Sequence, residues 1–470
     1  MTAIHPARPT ARPAPLAPGA LPVVGHLRQL LTDPTGFLTS LPAHGDLVEI
    51  RLGPRPTYVV CGPELVAQVL LTGRRDYDKG GPFFENIAVF FGDGLATCPD
   101  AKHTRLRRLT QPAFHPGKLA DYQELAGREI AAVLGTWREG QVLDVYRVMQ
   151  ELALRITVST MFASWFAHTD TAAETVQRTL ADVDTLVSGA FLRMVAPGLA
   201  RLPLAANRRY EQARLSLYAR IDETVAAYRR DGTDHGDLLS MLLAEDGDGS
   251  ALSDAEVREQ VMTMFIAGIG TTAAMLAWTL HYLSVDDALD AVVAQEARRA
   301  RGTAARDEPP PRLPVLADVV AETFRIRPAA WMFSRLTVRP TELGGHRLPA
   351  GADILLSPYI LHHRADLFPE PERFDPGRWS GDARSWAKAE RALTMIPFGA
   401  GSRKCIGRDF AVDNITLALA SILATWKLTP AGRRPVRLSG RSIIEPRGLS
   451  LRLHRRPAGV PRPAGSEGEQ

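Results

Sequence analysis

The pattern of apolar and polar positions changes period along the chain. Val48, Ile50 and Leu52 alternate with Glu49 and Arg51, Gly53-Pro54 follows, and Thr57-Tyr58-Val59-Val60 comes next. A period of two broken by Gly-Pro predicts a hairpin with one buried face. From Pro99 to Arg301 helical spacing takes over, as in Leu152, Ile156, Val158 and Met161, or Leu215, Tyr218, Ile221 and Val225. Ser253-Asp254-Ala255-Glu256 has the form of a capping box. It predicts the start of a long central helix through Met262, Phe265 and Ile266. Asp353–Leu356, preceded by Pro349-Ala350-Gly351, predicts a further strand. The expected fold class is mainly α with a minor β-sheet region, in a single large domain.

The ends differ from the middle. Residues 1–20 are rich in Pro, Ala and Arg and predict a disordered tail, residues 456–470 predict a flexible C-terminal tail, and 21–455 form the expected domain. Gly302–Pro314 is polar and proline-rich, but helical patterns flank it too closely for a linker. The first 25 residues carry no apolar core, so neither a signal peptide nor an anchor is expected there. No run of about 18 uninterrupted apolar residues predicts a membrane span. A cytoplasmic protein is the expectation.

Composition narrows the function classes. Hydrophobic residues at 45% and charged residues at 23% exclude disorder, collagen and coiled coil as the main state. Lys and Arg number 56 against 52 Asp and Glu, a net charge of only +4, which makes no electrostatic case for nucleic acid. Three cysteines, Cys61, Cys98 and Cys405, cannot build a disulfide framework, and no two stand at zinc-ligand spacing.

Cys405 stands in Phe398-Gly399-Ala400-Gly401-Ser402-Arg403-Lys404-Cys405-Ile406-Gly407. Two glycines before it permit positive φ in a tight loop. Phe410, Ala411, Ile415 and Leu419 then take up helical spacing, so Cys405 falls at a helix N-terminus, where the dipole and free N–H groups favour a thiolate. An inert buried thiol is the ordinary role of a lone cysteine, and it is the expectation for Cys61 and Cys98. The pattern Phe-x-x-Gly-x-Arg-x-Cys-x-Gly is complete here. It is the haem-binding signature of cytochromes P-450, and the chain resembles that family over nearly its whole length.

The resemblance implies haem b (iron protoporphyrin IX) with Cys405 as the iron ligand, Arg403 against a propionate, and Gly407 admitting close approach of the macrocycle. Phe398 opens the same motif. His103 and Arg107, four apart and on one helix face, match a propionate-gripping pair, and Arg335 matches a further propionate partner. A solvated basic face is the plainer reading of that helix, and Lys102, Arg105 and Arg108 fit it. Glu322 and Arg325 match a Glu-x-x-Arg pair whose partner downstream is expected to be Arg373, together bracing the haem loop. Ala267-Gly268-Ile269-Gly270-Thr271-Thr272 is similar to the oxygen-binding segment of the family: Gly268 opens the helix and Thr271 supplies a hydroxyl. Gly270 stands where the family has an acid, which puts the usual proton relay in question. A dinucleotide fingerprint read from Gly268 and Gly270 lacks the strand and βαβ unit it needs.

Phe83, Phe84, Ile87, Phe90, Phe91, Phe265, Ile266, Ala330, Trp331 and Met332 fall where the family faces its substrate and suggest an apolar pocket. Segments 40–54, 201–210 and 342–363 resemble bacterial members from terpene biosynthesis. The implied function is hydroxylation of a hydrophobic small molecule, a terpenoid among the candidates, with dioxygen. No flavin or iron–sulfur segment is seen, so the implied electron source is a separate ferredoxin-type donor with its reductase, docking near Lys404 and Arg408. Two alternatives stay open: peroxide-driven or rearrangement chemistry at a haem thiolate, and a non-catalytic haem-binding module.

Overall fold

The helix that the Ser253 cap predicts runs over Asp254–Ser284 and lies at the centre of the molecule. The computed structural model describes residues 12–53, 55–80, 85, 88, 92–162, 172–195, 197–200, 202–245, 251–303, 313–381, 385–432, 435–440 and 442–457. Both halves of the capping box form: Ser253 Oγ accepts from Glu256 N, and Ser253 N donates to Glu256 Oε2 at 3.0 Å. The helix is apolar around its whole circumference, because helices pack on all sides of it. By length and composition it could cross a bilayer, but 83% of its most apolar window is buried inside the protein, as for a core helix.

Helices Val145–Met161 and Ala205–Asp231 pack on the central helix, and Arg408–Thr425 closes the core from the cysteine side. In Ala205–Asp231 the buried stripe is Ala213, Leu217, Ile221 and Val225, an i, i+4 ladder. Leu215, expected on that face, points to solvent with 54% of its surface exposed.

The hairpin expectation is met by Leu47–Leu52 paired antiparallel with Arg55–Val60. Asp353–Leu356 adds parallel to Arg55–Val60, Phe333–Thr337 pairs antiparallel with it, and Tyr77–Asp78 closes that edge. This sheet holds Arg335 on one strand and ends beside Lys79 on another. Residues 12–20, expected in a disordered tail, lie against the hairpin. Ala17 N donates to Glu49 O, Glu49 N donates to Pro15 O, and Ala17 is buried. Arg456, expected in the flexible C-terminal tail, ion-pairs with buried Asp290. Most of Gly302–Pro314 lies outside the described residues, as do Phe83, Phe84, Ile87, Phe90 and Phe91.

Candidate cofactor-binding site

The cysteine loop is shaped by its glycines. Gly399 and Gly401 have φ of +67° and +71°, and a Cβ on Gly401 would come within 2.3 Å of Leu70 O. Only glycine meets both demands at 401. The loop closes when Cys405 N donates to Phe398 O at 2.9 Å. Phe398 is fixed from outside by rings of Phe324 and Trp386. Gly407 caps helix Arg408–Thr425, which leaves Cys405 just ahead of its first turn. Cys405 lies deep in the fold, yet its surface is exposed, so it faces a space inside the molecule rather than packed atoms. Burial pushes its thiol pKa up, against the opposing pull of the Gly407 N–H, Arg107 and Lys79. Cys61 and Cys98 are packed among other atoms, and burial holds both thiols protonated, Cys61 up to about 12.

Cations crowd round this space. Arg107 Nη1 donates to Lys404 O at 2.8 Å, which brings the guanidinium to the residue before Cys405. His103, one turn earlier, is buried, and burial together with Arg403, Lys79 and Arg107 lowers its pKa to about 4. Arg335 is buried too and donates to Ser334 O; burial and then Arg403 bring its pKa down to about 10. Lys79 donates to Ala96 O, and burial with Arg335 and Arg403 drives its pKa well below the usual lysine range. Arg403 lies among carboxylates. Its guanidinium is taken by Asp100, at 2.6 and 2.9 Å, by Asp78 at 3.2 Å and by Cys98 O at 2.8 Å. Asp78 and Asp100 thus pair with Arg403 and also act on Arg335. Buried positive charge in excess calls for an anionic guest.

Opposite lies the glycine segment of the central helix. Between Gln260 and Leu280 every residue is buried except Ala267, Gly268 and Thr271. Those three form a notch on one face of the helix. Thr271 Oγ1 donates to Ala267 O at 2.5 Å, a bond to the preceding turn that loosens the helix there. A Cβ on Gly268 would stand 3.2 Å from Thr157 Oγ1, so this glycine also allows the neighbouring helix to approach. Gly270 is buried, and a Cβ there would meet Ile443 Cδ1 at 3.1 Å. The missing acid therefore leaves no open room at 270; the Ile443 side chain takes it.

The other apolar candidates divide. Phe265 stacks on Phe162 at 5.0 Å, Trp331 packs on Phe191, and Ile266 is buried, so these three are core. Ala330 is exposed and Met332 half-buried, as residues lining a space would be.

The brace is complete. Glu322 and Arg325 are fully buried and doubly hydrogen-bonded at 2.7 and 2.9 Å. Arg325 also donates to the carbonyls of His362, Pro371 and Arg373, which uses all five of its N–H groups. Glu322 further accepts from Trp379 Nε1, Asp375 N and Arg378 Nε. Arg373, expected as the third charged member, gives only its carbonyl; its side chain is exposed and pairs with Glu370. Arg378 holds the position instead, because the turn at Asp375–Gly377 brings it back onto Glu322. Lys79, Arg378 and Trp379 were not legible as site residues: none belongs to a periodic pattern, and each is brought in by a turn between elements. On the cysteine side, Lys404 and Arg408 both pair with Glu390, at 3.3 and 3.1 Å.

The chain is similar to known proteins over most of its length. The family description Cytochrome P450 matches residues 15–451. Cyclooctatin synthase from Streptomyces melanosporofaciens is 43% identical over 421 residues, 88% of this chain and 90% of that protein. Pentalenene oxygenase from Streptomyces avermitilis is 41% identical over 453 residues, 94% of this chain and 98% of its own. Cyclooctat-9-en-7-ol 5-monooxygenase from Streptomyces melanosporofaciens is 41% identical over 419 residues, covering 88% and 89%.

Proposed function

The chain belongs to the cytochrome P450 family, and on that premise we propose that it is a haem-thiolate monooxygenase that hydroxylates a terpenoid. The observation that carries the cofactor reading is Cys405, open to an internal space at the foot of a glycine-turned loop, with Arg107 and the buried Arg335 close to that loop. Those residues fit haem b. Its iron would take the Cys405 sulfur, and its two propionates would lie among Lys79, His103, Arg107 and Arg335. Arg403, already paired with Asp100 and Asp78, would act chiefly by holding that cluster together. When bound, the haem supplies dioxygen activation, and thiolate ligation favours O–O cleavage.

The chain's own residues do the rest. Phe398, clamped between Phe324 and Trp386, steadies the peptide that receives the Cys405 N–H. The notch at Ala267, Gly268 and Thr271 leaves a helix face open where a small ligand would sit. Thr271 Oγ1 donates to Ala267 O; if that O–H turns into the notch while a lone pair accepts from a water, the hydroxyl can hand on its proton and be resupplied by the water without a neighbouring acid. Gly270 has no side chain to take part in that transfer, and Ile443 packs against it. The apolar surroundings exclude bulk water and orient a C–H bond by shape.

A terpenoid substrate is supported by the relatives named for pentalenene and cyclooctat-9-en-7-ol, and by the apolar side chains of Ala330 and Met332, which are not fully packed. Electrons would come from a separate ferredoxin-type donor with its reductase, in the cytoplasm. Two experiments test this reading. The ferrous–CO complex should show the red-shifted Soret band of thiolate ligation, lost in Cys405→Ser and kept in Cys61→Ser and Cys98→Ser; a band surviving in Cys405→Ser overturns the ligand. Product and peroxide per reduced nicotinamide, assayed with cyclic terpenes and surrogate partners, should shift towards peroxide in Thr271→Ala. Unchanged coupling would instead favour peroxide-driven or substrate-supplied proton chemistry.

A further inference from the structure

We propose that His362 is a positioning residue that locks the cysteine loop to the Glu322–Arg325 brace. His362 ends the short helix Pro358–His362 and is fully buried. Its Nε2 accepts from Ile396 N at 2.9 Å, and its Nδ1 lies 3.1 Å from Arg325 O. A backbone N–H only donates, so Nε2 is the bare nitrogen and Nδ1 carries the proton, donating to Arg325 O. Burial, His363 and Arg325 lower its pKa well below the usual range and keep the ring neutral, as both bonds require. The clamp is reciprocal, because Arg325 Nη1 donates to His362 O at 2.8 Å.

Ile396 is the hinge between this clamp and the cysteine. It is buried, so its N–H has no water to turn to. Its carbonyl accepts from Gly399 N at 3.0 Å, which starts the turn, and two residues on Phe398 O receives Cys405 N. The imidazole thus joins a fully satisfied ion pair to the peptide that begins the loop. Among the described residues no side-chain hydrogen bond joins Glu322 or Arg325 to residues 398–405, so His362 is a route by which the rigidity of the brace reaches the sulfur.

The proposal rests on Cys405 being the iron ligand, which Cys405→Ser decides separately. The two bonds can be cut one at a time. In His362→Gln the amide reaches the Nε2 position and can accept from Ile396 N. In His362→Asn the amide reaches the Nδ1 position, keeps the bond to Arg325 O, and leaves the buried Ile396 N–H unpaired. Both variants are purified with haem and read by ferrous–CO spectrum, ferric–ferrous midpoint potential and thermal unfolding. His362→Gln should keep the thiolate band and the potential. His362→Asn should shift the balance from thiolate to neutral-thiol ligation by about tenfold, as expected from one unpaired buried donor. Equal spectra in the two variants, or a full thiolate band in His362→Asn, overturn the proposal. Should His362→Asn fail to fold, hydrogen exchange at Ile396 decides. Protection shared by wild type and His362→Gln supports the lock, and exchange as fast as an open loop overturns it.

Discussion

Two buried charge clusters lie on either side of the cysteine loop, and they are built to opposite rules. In the brace, Arg325 spends all five N–H groups on protein acceptors, and Glu322 receives five donors in return. The pair therefore stands by itself. In the other cluster, Arg403 takes Asp78 and Asp100, Arg335 lies near the same two carboxylates, and burial lowers the pKa of Lys79 and Arg335. A closed set of bonds marks a structural device, while an open surplus of one sign marks a place for a guest.

Mutations separate the two rules. Glu322→Ala should have the largest effect, since Arg325 would be left fully buried without a counter-charge at a cost of about 3–5 kcal/mol. It should lower the unfolding midpoint of the haem-free and the haem-loaded protein alike. Arg335→Met should act on one form only. Haem affinity falls about tenfold or more through loss of a charge-assisted partner, while the haem-free midpoint does not fall, because a crowding cation has gone. A haem-free protein destabilised by Arg335→Met as strongly as by Glu322→Ala would erase the distinction.

Smaller changes sharpen it. Arg378→Ala should cost about 1–3 kcal/mol in urea unfolding, and Arg373→Ala under about 1 kcal/mol, because Arg378 reaches buried Glu322 and the Arg373 side chain reaches only exposed Glu370. The reverse order would restore Arg373 to the brace. A further effect appears only with pH. Burial lowers the His363 pKa to about 3, whereas an unfolded histidine titrates near the usual 6.5. The folded chain then binds fewer protons than the unfolded one as pH falls below about 6.5. Its contribution is intact above that pH and declines towards pH 3, by up to about 1.4 kcal/mol per unit. Unfolding midpoints at pH 8, 7, 6 and 5 should flatten in His363→Gln relative to wild type.

Much of this molecule was legible in residue order because the deciding forces are local. The hairpin follows from alternation about Gly53, the central helix from the Ser253–Glu256 cap, and Asp353–Leu356 from its turn. Glu322 and Arg325 are one helical turn apart, so their pairing needs no other element. The cysteine loop declares itself in Gly399 and Gly401, since positive φ is a property of the residue itself. The family resemblance rests on these same short stretches.

What only the tertiary structure decided involves residues far apart in the chain. Arg373 and Arg378 look alike in sequence, and the turn at Asp375 chooses between them. Gly270 stands where the family has an acid, and what packs against it is Ile443, from the distant C-terminal hairpin. Arg403 belongs to a cofactor motif, yet Asp78 and Asp100 hold its guanidinium. Lys79 gains its importance only when the sheet carrying Arg335 brings the two together. Local conformation depends on a few neighbours and can be read from order alone. The partner of a buried charge depends on which distant carboxylate or carbonyl the packing delivers, and that is settled only when the whole core closes.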